Sequence, residues 1–179
     1  MTIIAETDRL VIRTWIPQDD AEQALKIYSD PEVTRFFSST KASDVEQMVN
    51  ILERWLKRAT QLNNGTGLWA MVLKETGEIV GTILLILLKG NDGQFTEDYE
   101  IGWHLKKSAW GKGYATEAAI AIINYGFNIL NLREIYSIAN QDNIASIRVT
   151  QRLGMVPLGS TNKYHNKKLE LFKLSAPTQ

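Results

Sequence analysis

Cysteine is missing from all 179 residues, and its absence removes disulfides, thiolate nucleophiles and cysteine-ligated zinc at once. Histidine occurs only at His104 and His165, so no metal site is expected. A surplus of either charge is missing too. Twenty Lys and Arg balance 20 Asp and Glu, which argues against a chain built to grip nucleic acid or an anionic membrane. Long hydrophobic runs are absent: the stretch Ile83 to Leu88 falls far below the roughly 20 residues of a spanning helix. The start of the chain, with Glu6 and Asp8 and no apolar stretch behind a basic region, does not read as a signal peptide. A soluble cytoplasmic protein without membrane or nucleic-acid partners is expected. Its length, with 44% hydrophobic and 22% charged residues, suits one domain over residues 1–179 with a sizeable core.

Hydrophobic periodicity supplies the elements. Thr7 to Trp15 reads as a first strand ended by Pro17. A helix follows, opened by Asp19 and Asp20, striped with Ala21, Leu25 and Tyr28 and broken at Pro31. Ser43 and Glu46 form a capping pair for a second helix to Leu62, with Val45, Val49, Leu52 and Leu56 at helical spacing. Leu68 to Leu73 and the nearly all-apolar Ile79 to Leu88 make two strands joined at Glu75-Thr76-Gly77, the second buried on both faces. After a polar loop at 90–96, the strand Asp98 to Leu105 alternates Tyr99, Ile101, Trp103 and Leu105 against Glu100, Gly102 and His104. Ala115, Ala118, Ala119, Ile122, Gly126 and Ile129 give a helix face small enough to approach a sheet. Glu134 to Ala139 is a strand, Asn143 to Leu153 a helix closed by Gly154, and Val156 to Gly159 and Leu169 to Leu174 are the last strands. The order predicts a mixed α/β sheet with helices on both faces.

Between the strand ending at Leu105 and the small-faced helix lies Trp110-Gly111-Lys112-Gly113-Tyr114-Ala115-Thr116. Glycines there let the backbone turn sharply and come close to a ligand, and the first N–H groups of the helix point into the turn, as an anion requires. The turn is not a Walker loop, because Gly113 is followed by Tyr114 rather than Lys. Nor is it a dinucleotide fingerprint, because position 116 is Thr and no acid closes the next strand. From Ala121 onward seven Lys and Arg stand against three acids, which suits a polyanionic small ligand or a solvated basic face.

The strand Tyr99-Glu100-Ile101-Gly102-Trp103, the turn Trp110 to Ala118 and the helix carrying Asn143, Ser146 and Leu153-Gly154 resemble consecutive motifs of the GNAT N-acetyltransferase superfamily. The segments Thr7-Asp8-Arg9-Leu10-Val11-Ile12-Arg13 and Asp30-Pro31-Glu32-Val33 are similar to its RimJ/RimL-type branch, whose best-known members acetylate ribosomal-protein N-termini. The resemblance runs along nearly the whole chain in the right order. It implies a mostly antiparallel central sheet with a splayed parallel strand pair, 98–105 and 134–139, holding acetyl-CoA. The pyrophosphate would lie on Gly111, Lys112, Gly113, Tyr114, Ala115 and Thr116, and the pantetheine arm along Trp103, His104 and Leu105, with an N–H near Leu105 facing the thioester oxygen. In the family's Arg/Gln-x-x-Gly-x-Gly/Ala turn, Trp110 departs from the first position, while Gly113 and Ala115 match. Asn143 matches a pantetheine-binding position, with a plain helix cap as the alternative.

The resemblance also implies direct transfer to an amine. A protein α-amine needs only about 1 kcal/mol to deprotonate at neutral pH, whereas a lysine needs about 4.6, so a weak or water-relayed base suffices for the former. Glu100 is the first candidate base, with His104 and His165 behind it. The tyrosine that many members use to protonate the thiolate is replaced by Thr150, and Ser146 is the expected donor instead. Phe36, Phe37 and the loop near His165 would border the acceptor pocket. A protein N-terminus, an aminoglycoside-like drug and a polyamine remain open as acceptors, on a monomer or homodimer. A coenzyme A-binding sensor without turnover is the competing reading, and a nucleotide-dependent enzyme a third.

Overall fold

Helix entry in this chain is set by short acidic side chains. In the computed structural model, which describes residues 1–37 and 42–177, α1 (Pro17–Tyr28) starts with Pro at its first position. Asp20, which is 4% exposed, reaches back to accept from the Ile16 N–H at 2.7 Å and is gripped by both Arg13 guanidinium nitrogens. After the short α2 (Pro31–Thr34), α3 (Val45–Leu62) is capped by Asp44, which accepts from the Gln47 N–H. The cap thus sits one residue beyond the expected Ser43–Glu46 pair, because Asp44 accepts more strongly than a serine hydroxyl.

The first strand is shorter than its pattern suggests. The segment expected at Thr7 to Trp15 shortens to β2 (Leu10–Arg13), and an unexpected strand, β1 (Ile3–Glu6), precedes it as its antiparallel partner across a turn closed by the Thr7 hydroxyl. Next come β3 (Gly67–Leu73), β4 (Ile79–Lys89) and β5 (Phe95–Leu105) as antiparallel neighbours. β5 begins three residues before the expected Asp98. A 3₁₀ turn (Lys107–Ala109), α4 (Tyr114–Asn128), β6 (Glu134–Ala139), α5 (Ile144–Arg152), β7 (Val156–Thr161) and β8 (Leu169–Ser175) complete the chain. Gly154, with φ 72°, closes α5 from just beyond its last turn.

The strands form one sheet in the order β1-β2-β3-β4-β5-β6-β8-β7, and its β5–β6 pairing is parallel. β4 is buried on both faces along most of its length. On one side Leu10, Ile12, Met71, Ile83, Leu85 and Ile101 pack under α4. There Gly126 lets helix and sheet approach, since a Cβ on it would lie 2.9 Å from Ile135 Cδ1. On the other side α1 and α3 bury Ala24, Ile27, Met48 and Leu52 against Ala70 and Ile79.

Candidate functional site

β5 pairs fully with β4 but meets β6 at a single position, Glu100 opposite Tyr136. The register decides what this leaves open. Lys106 N–H donates to Val80 C=O at 3.0 Å, which makes Leu105–Gly81 a non-hydrogen-bonded pair of the antiparallel ladder. By alternation Trp103–Ile83 and Ile101–Leu85 are non-hydrogen-bonded as well. The N–H and C=O groups of Ile101, Trp103 and Leu105 are therefore aimed away from β4, into the gap toward β6. Beyond Tyr136 the strands diverge, so the Trp103 N–H and C=O and the Leu105 N–H present an unpaired strand edge there.

The glycine turn lies directly beyond this edge. Gly111 and Gly113 have φ 73° and 84°, the left-handed region that side-chain-bearing residues avoid. Gly113 is the N-cap of α4 and brings no side chain to cap it, which leaves the N–H groups of the first turn, Tyr114, Ala115 and Thr116, facing outward. A Cβ at Gly111 would meet no heavy atom within 4 Å, so the turn opens onto free space. Backbone donors, a helix N-terminus and an open approach suit a pyrophosphate. The adjoining strand edge suits an amide-bearing arm.

Two side chains brace this turn. Trp110, the departure from the expected Arg/Gln, donates its indole N–H to the Leu105 carbonyl at 2.9 Å and ties the turn to the end of β5. Arg9 reaches across from the β1–β2 turn, where its Nη1 donates to Lys112 C=O at 3.0 Å, its Nε and Nη2 pair with Glu117, and its guanidinium lies 4.5 Å from the Tyr114 ring centre. Glu117 also accepts from the Thr7 hydroxyl and the Arg9 N–H. Sequence reasoning missed Arg9 and Glu117 as parts of the site. Their signal was an acid in the first turn of α4, where the helix dipole favours a carboxylate but an anionic ligand in the turn would repel it unless a cation neutralises it.

On the face toward α1 and α3, β5 places Glu100 and His104. His104 stacks on Phe37 with centroids 3.9 Å apart, and its Nδ1 lies 3.1 Å from the Tyr28 hydroxyl, which also contacts the buried Thr82 at 2.6 Å. Burial lowers its pKa to about 4, so this ring is a neutral packing group and a poor base. The second histidine candidate, His165, is held below its usual pKa by burial and by Lys167, Lys89 and Arg58. Glu100 is partly buried, and desolvation pushes its carboxyl up to about 8 against the pull of Arg58. Phe37 is thus occupied by His104, and Phe36 lies under the Arg35 guanidinium.

α5 follows the diverging end of β6. Asn143 is its N-cap, accepting from the Ser146 N–H at 3.1 Å, so Asn143 is a cap whatever else its amide does. Ser146 is partly buried in the first turn, while the Thr150 hydroxyl is turned back onto Ile147 C=O at 2.8 Å in a fully buried position. Thr150 therefore cannot replace the tyrosine it stands for. Distances along β5 also bear on the expected donor: Leu105 lies five residues, about 17 Å, from Glu100, whereas Trp103 lies about 10 Å away. The Trp103 N–H is the better placed of the two for a reaction that Glu100 assists.

Among the described residues no helix is long and apolar enough to cross a membrane, and no group of three or more potential ligands gathers for a metal ion. The family described as Acetyltransferase (GNAT) domain matches residues 9–156. The uncharacterized N-acetyltransferase p20 of Bacillus licheniformis is 31% identical over 162 residues, covering 90% of this chain and 87% of that protein. A crystal structure of a GNAT-family acetyltransferase from Bacillus anthracis superposes with a TM-score of 0.75 at 25% identity, covering 97% and 96% of the two chains. The ribosomal L7/L12 α-N-protein acetyltransferase RimL, in complex with coenzyme A, shares the fold with a TM-score of 0.78 at 15% identity, covering 97% and 98%. An open strand edge feeding a glycine turn at a helix N-terminus is thus joined by matches along most of the sequence, and the chain belongs to the GNAT acetyltransferase family.

Proposed function

We propose that this protein moves an acetyl group from acetyl-CoA directly to a primary amine, on a small molecule or a protein N-terminus, as a member of the RimJ/RimL-type branch. The observation that carries this reading is the unpaired Trp103–Leu105 edge leading into the Gly111–Thr116 turn. Trp103, His104 and Leu105 would hold the pantetheine arm by backbone bonds, with Asn143 and Ser146 on the opposite bank. Gly111, Lys112, Gly113, Tyr114, Ala115 and Thr116 would hold the pyrophosphate. When bound, acetyl-CoA supplies a thioester whose carbonyl carbon accepts the amine lone pair as the C–S bond breaks.

The chain's own groups serve that exchange in three ways. The Trp103 N–H, or Leu105 beyond it, donates to the thioester oxygen as charge gathers there, and one such donor is worth about 2.7–4 kcal/mol. Glu100 takes the proton that the amine gives up, through water if the amine sits near Leu105. Its raised pKa, about 8, matches an α-amine of about 7.7–8.0 and falls short of a lysine at about 10.4, which favours acceptors of lower basicity. Ser146 is the hydroxyl nearest in sequence to the Asn143 cap and is assigned to protonate the departing thiolate. Acetyl-CoA should raise the melting temperature, and Gly113→Glu should abolish that rise, because φ 84° strains any side chain there and its Cβ would lie 3.4 Å from Arg9 Nη2, disturbing the turn and adding an anion to it. Mass spectrometry of acetylated products and free coenzyme A over a peptide and amine library then tests transfer. A thermal shift without any acetylated amine would favour the coenzyme A-binding sensor instead.

A further inference from the structure

The acid-poor C-terminal third includes a tight turn flanked by cations. Tyr164, His165, Asn166 and Lys167 form a tight turn closed by Lys167 N–H to Tyr164 C=O at 3.2 Å, with φ 55° and 53° at its two central residues, the signature of a type I′ turn. Asn91 pins this turn to the β4–β5 connection by accepting from Asn166 N–H at 2.8 Å and donating to Asn162 C=O at 2.7 Å. A strained backbone held this firmly presents His165 and Lys167 at a fixed place. That place adjoins Lys89, whose neighbour Gly90 forms an isolated antiparallel bridge with Tyr164, and the charges of Lys89 and Arg58 both bear on the His165 ring.

Arg58 and Lys89 share one aromatic ring: Phe95 has the Arg58 guanidinium 4.9 Å and the Lys89 ammonium 5.0 Å from its centre. Two cations on one ring repel each other, and among the described residues neither forms an ion pair within 4.0 Å. Arg58 Nε is buried without any hydrogen-bond partner, and its Nη2 makes only a 3.4 Å contact with Leu87 C=O. The nearby Asp98 gives no relief, because Lys163 at 2.6 Å and the Tyr164 hydroxyl at 2.7 Å already satisfy it. Glu100 remains as the acid that Arg58 senses, and as the assigned base it must lose and regain its charge. The site beside the base therefore holds excess positive charge and an unused buried N–H donor.

Resting on the amine-acetylating reading above, we propose that the acceptor carries an anionic group, a carboxylate or phosphate a few bonds from its amine, held by Arg58, Lys89 and the His165–Lys167 turn next to Glu100. The same arrangement disfavours polyamines, whose second ammonium would meet these cations. The anion has two sources, the side chain of an acidic N-terminal residue or the α-carboxylate of a free amino acid.

Matched acceptors separate the sources. One arm compares C-terminally amidated peptides beginning with Asp, Asn or Lys, and the other compares free asparagine with asparagine amide, with spermidine as the cationic control. In at least one arm the anionic member should exceed its neutral partner by about tenfold or more in kcat/KM, as close charge pairs at a partly desolvated site permit. Lys89→Gln should shrink that ratio several-fold, and Lys89→Glu should reverse it toward the cationic acceptor. A neutral or cationic preference in both arms, or ratios unmoved by either variant, would overturn the proposal.

If acetyl-CoA stabilises the protein but no amine is acetylated, the transfer reading fails while the anion site stays measurable. The coenzyme A-saturated protein is then titrated with N-acetylaspartate α-amide and N-acetylasparagine α-amide. Stabilisation by the first alone, lost in Lys89→Glu, supports the site, and equal response to both refutes it.

Discussion

Glu100→Gln tests the central assignment without needing an acceptor. The folded carboxyl binds its proton with a pKa of about 8, against an ordinary 4.5, so unfolding releases a proton between those values. The associated stability is fully present below about pH 4.5 and is lost as pH rises through about 8. Glutamine keeps the shape and cannot ionise, so the variant escapes this loss. One proton corresponds to at most about 1.36 kcal/mol per pH unit. Glu100 keeps some contact with solvent and feels Arg58, which reduces the slope. Between about pH 5 and about pH 7 the variant should therefore gain about 1–2.7 kcal/mol on the wild type. Urea unfolding of both proteins at several pH values measures the difference, and every other titrating group cancels. A difference that stays flat with pH would mean that Glu100 ionises normally in the folded protein. The match to an α-amine, and with it the reason to prefer Glu100 as base, would then be gone. Kinetics alone cannot make this distinction, because an α-amine acceptor titrates in the same range and imposes its own limb on the profile.

Trp110→Phe removes the indole donor to Leu105 C=O while keeping an aromatic ring. It should cost about 0.5–1.5 kcal/mol of stability and lower kcat more than it changes acetyl-CoA affinity, as read by single-turnover and thermal-shift measurements together. Arg9→Ala frees Lys112 C=O and Glu117, and the half-exposed pair should be worth about a two- to fivefold rise in acetyl-CoA KM, checked by steady-state kinetics at varied salt. Tyr28→Phe leaves the buried Thr82 hydroxyl and His104 Nδ1 without their shared partner, at a cost of about 1–3 kcal/mol by denaturant unfolding. If His104 were the base, the same variant would instead shift the pH–rate profile.

Local pattern made the strands and long helices legible. The alternation at Tyr99–Leu105, the apolar run of β4 and the small face of α4 each report a burial environment, and burial is what periodicity encodes. Element boundaries were less legible where a side chain outside the pattern decided them. Asp44 takes the α3 cap from Ser43, and the Thr7 hydroxyl turns the start of the expected first strand into the β1–β2 connection. Within the candidate site, the glycine turn and the Asn143 cap could be read from spacing because backbone conformation and capping are local. The pairing of Arg9 with Glu117, 108 residues apart in sequence, could not, because it depends on β1 and β2 docking beside α4. The enclosure of His104, which stood behind Glu100 as a candidate base, was out of reach for the same reason. A strand residue opposite the core face reads as free to titrate, but Phe37 and Tyr28 arrive from distant segments to enclose it.

These long-range contacts divide the site into halves that perturbations should separate. Trp110 joins the turn to the strand edge, and Arg9 joins it to the β1–β2 turn and the first turn of α4, so the donor side is braced by groups that never approach Glu100. Arg58, Lys89 and the His165–Lys167 turn are fixed through α3, β4 and Asn91, with none of the donor-side bonds in common. Changes at Arg9 and Lys89 touch no shared partner, so their effects on acetyl-CoA KM and acceptor preference should add within about 0.3–0.5 kcal/mol in a double-mutant cycle. A larger coupling would require the two banks of the sheet to move together. Glu100 would then be the point through which they communicate, since β5 carries it between the strand edge and the cationic cluster.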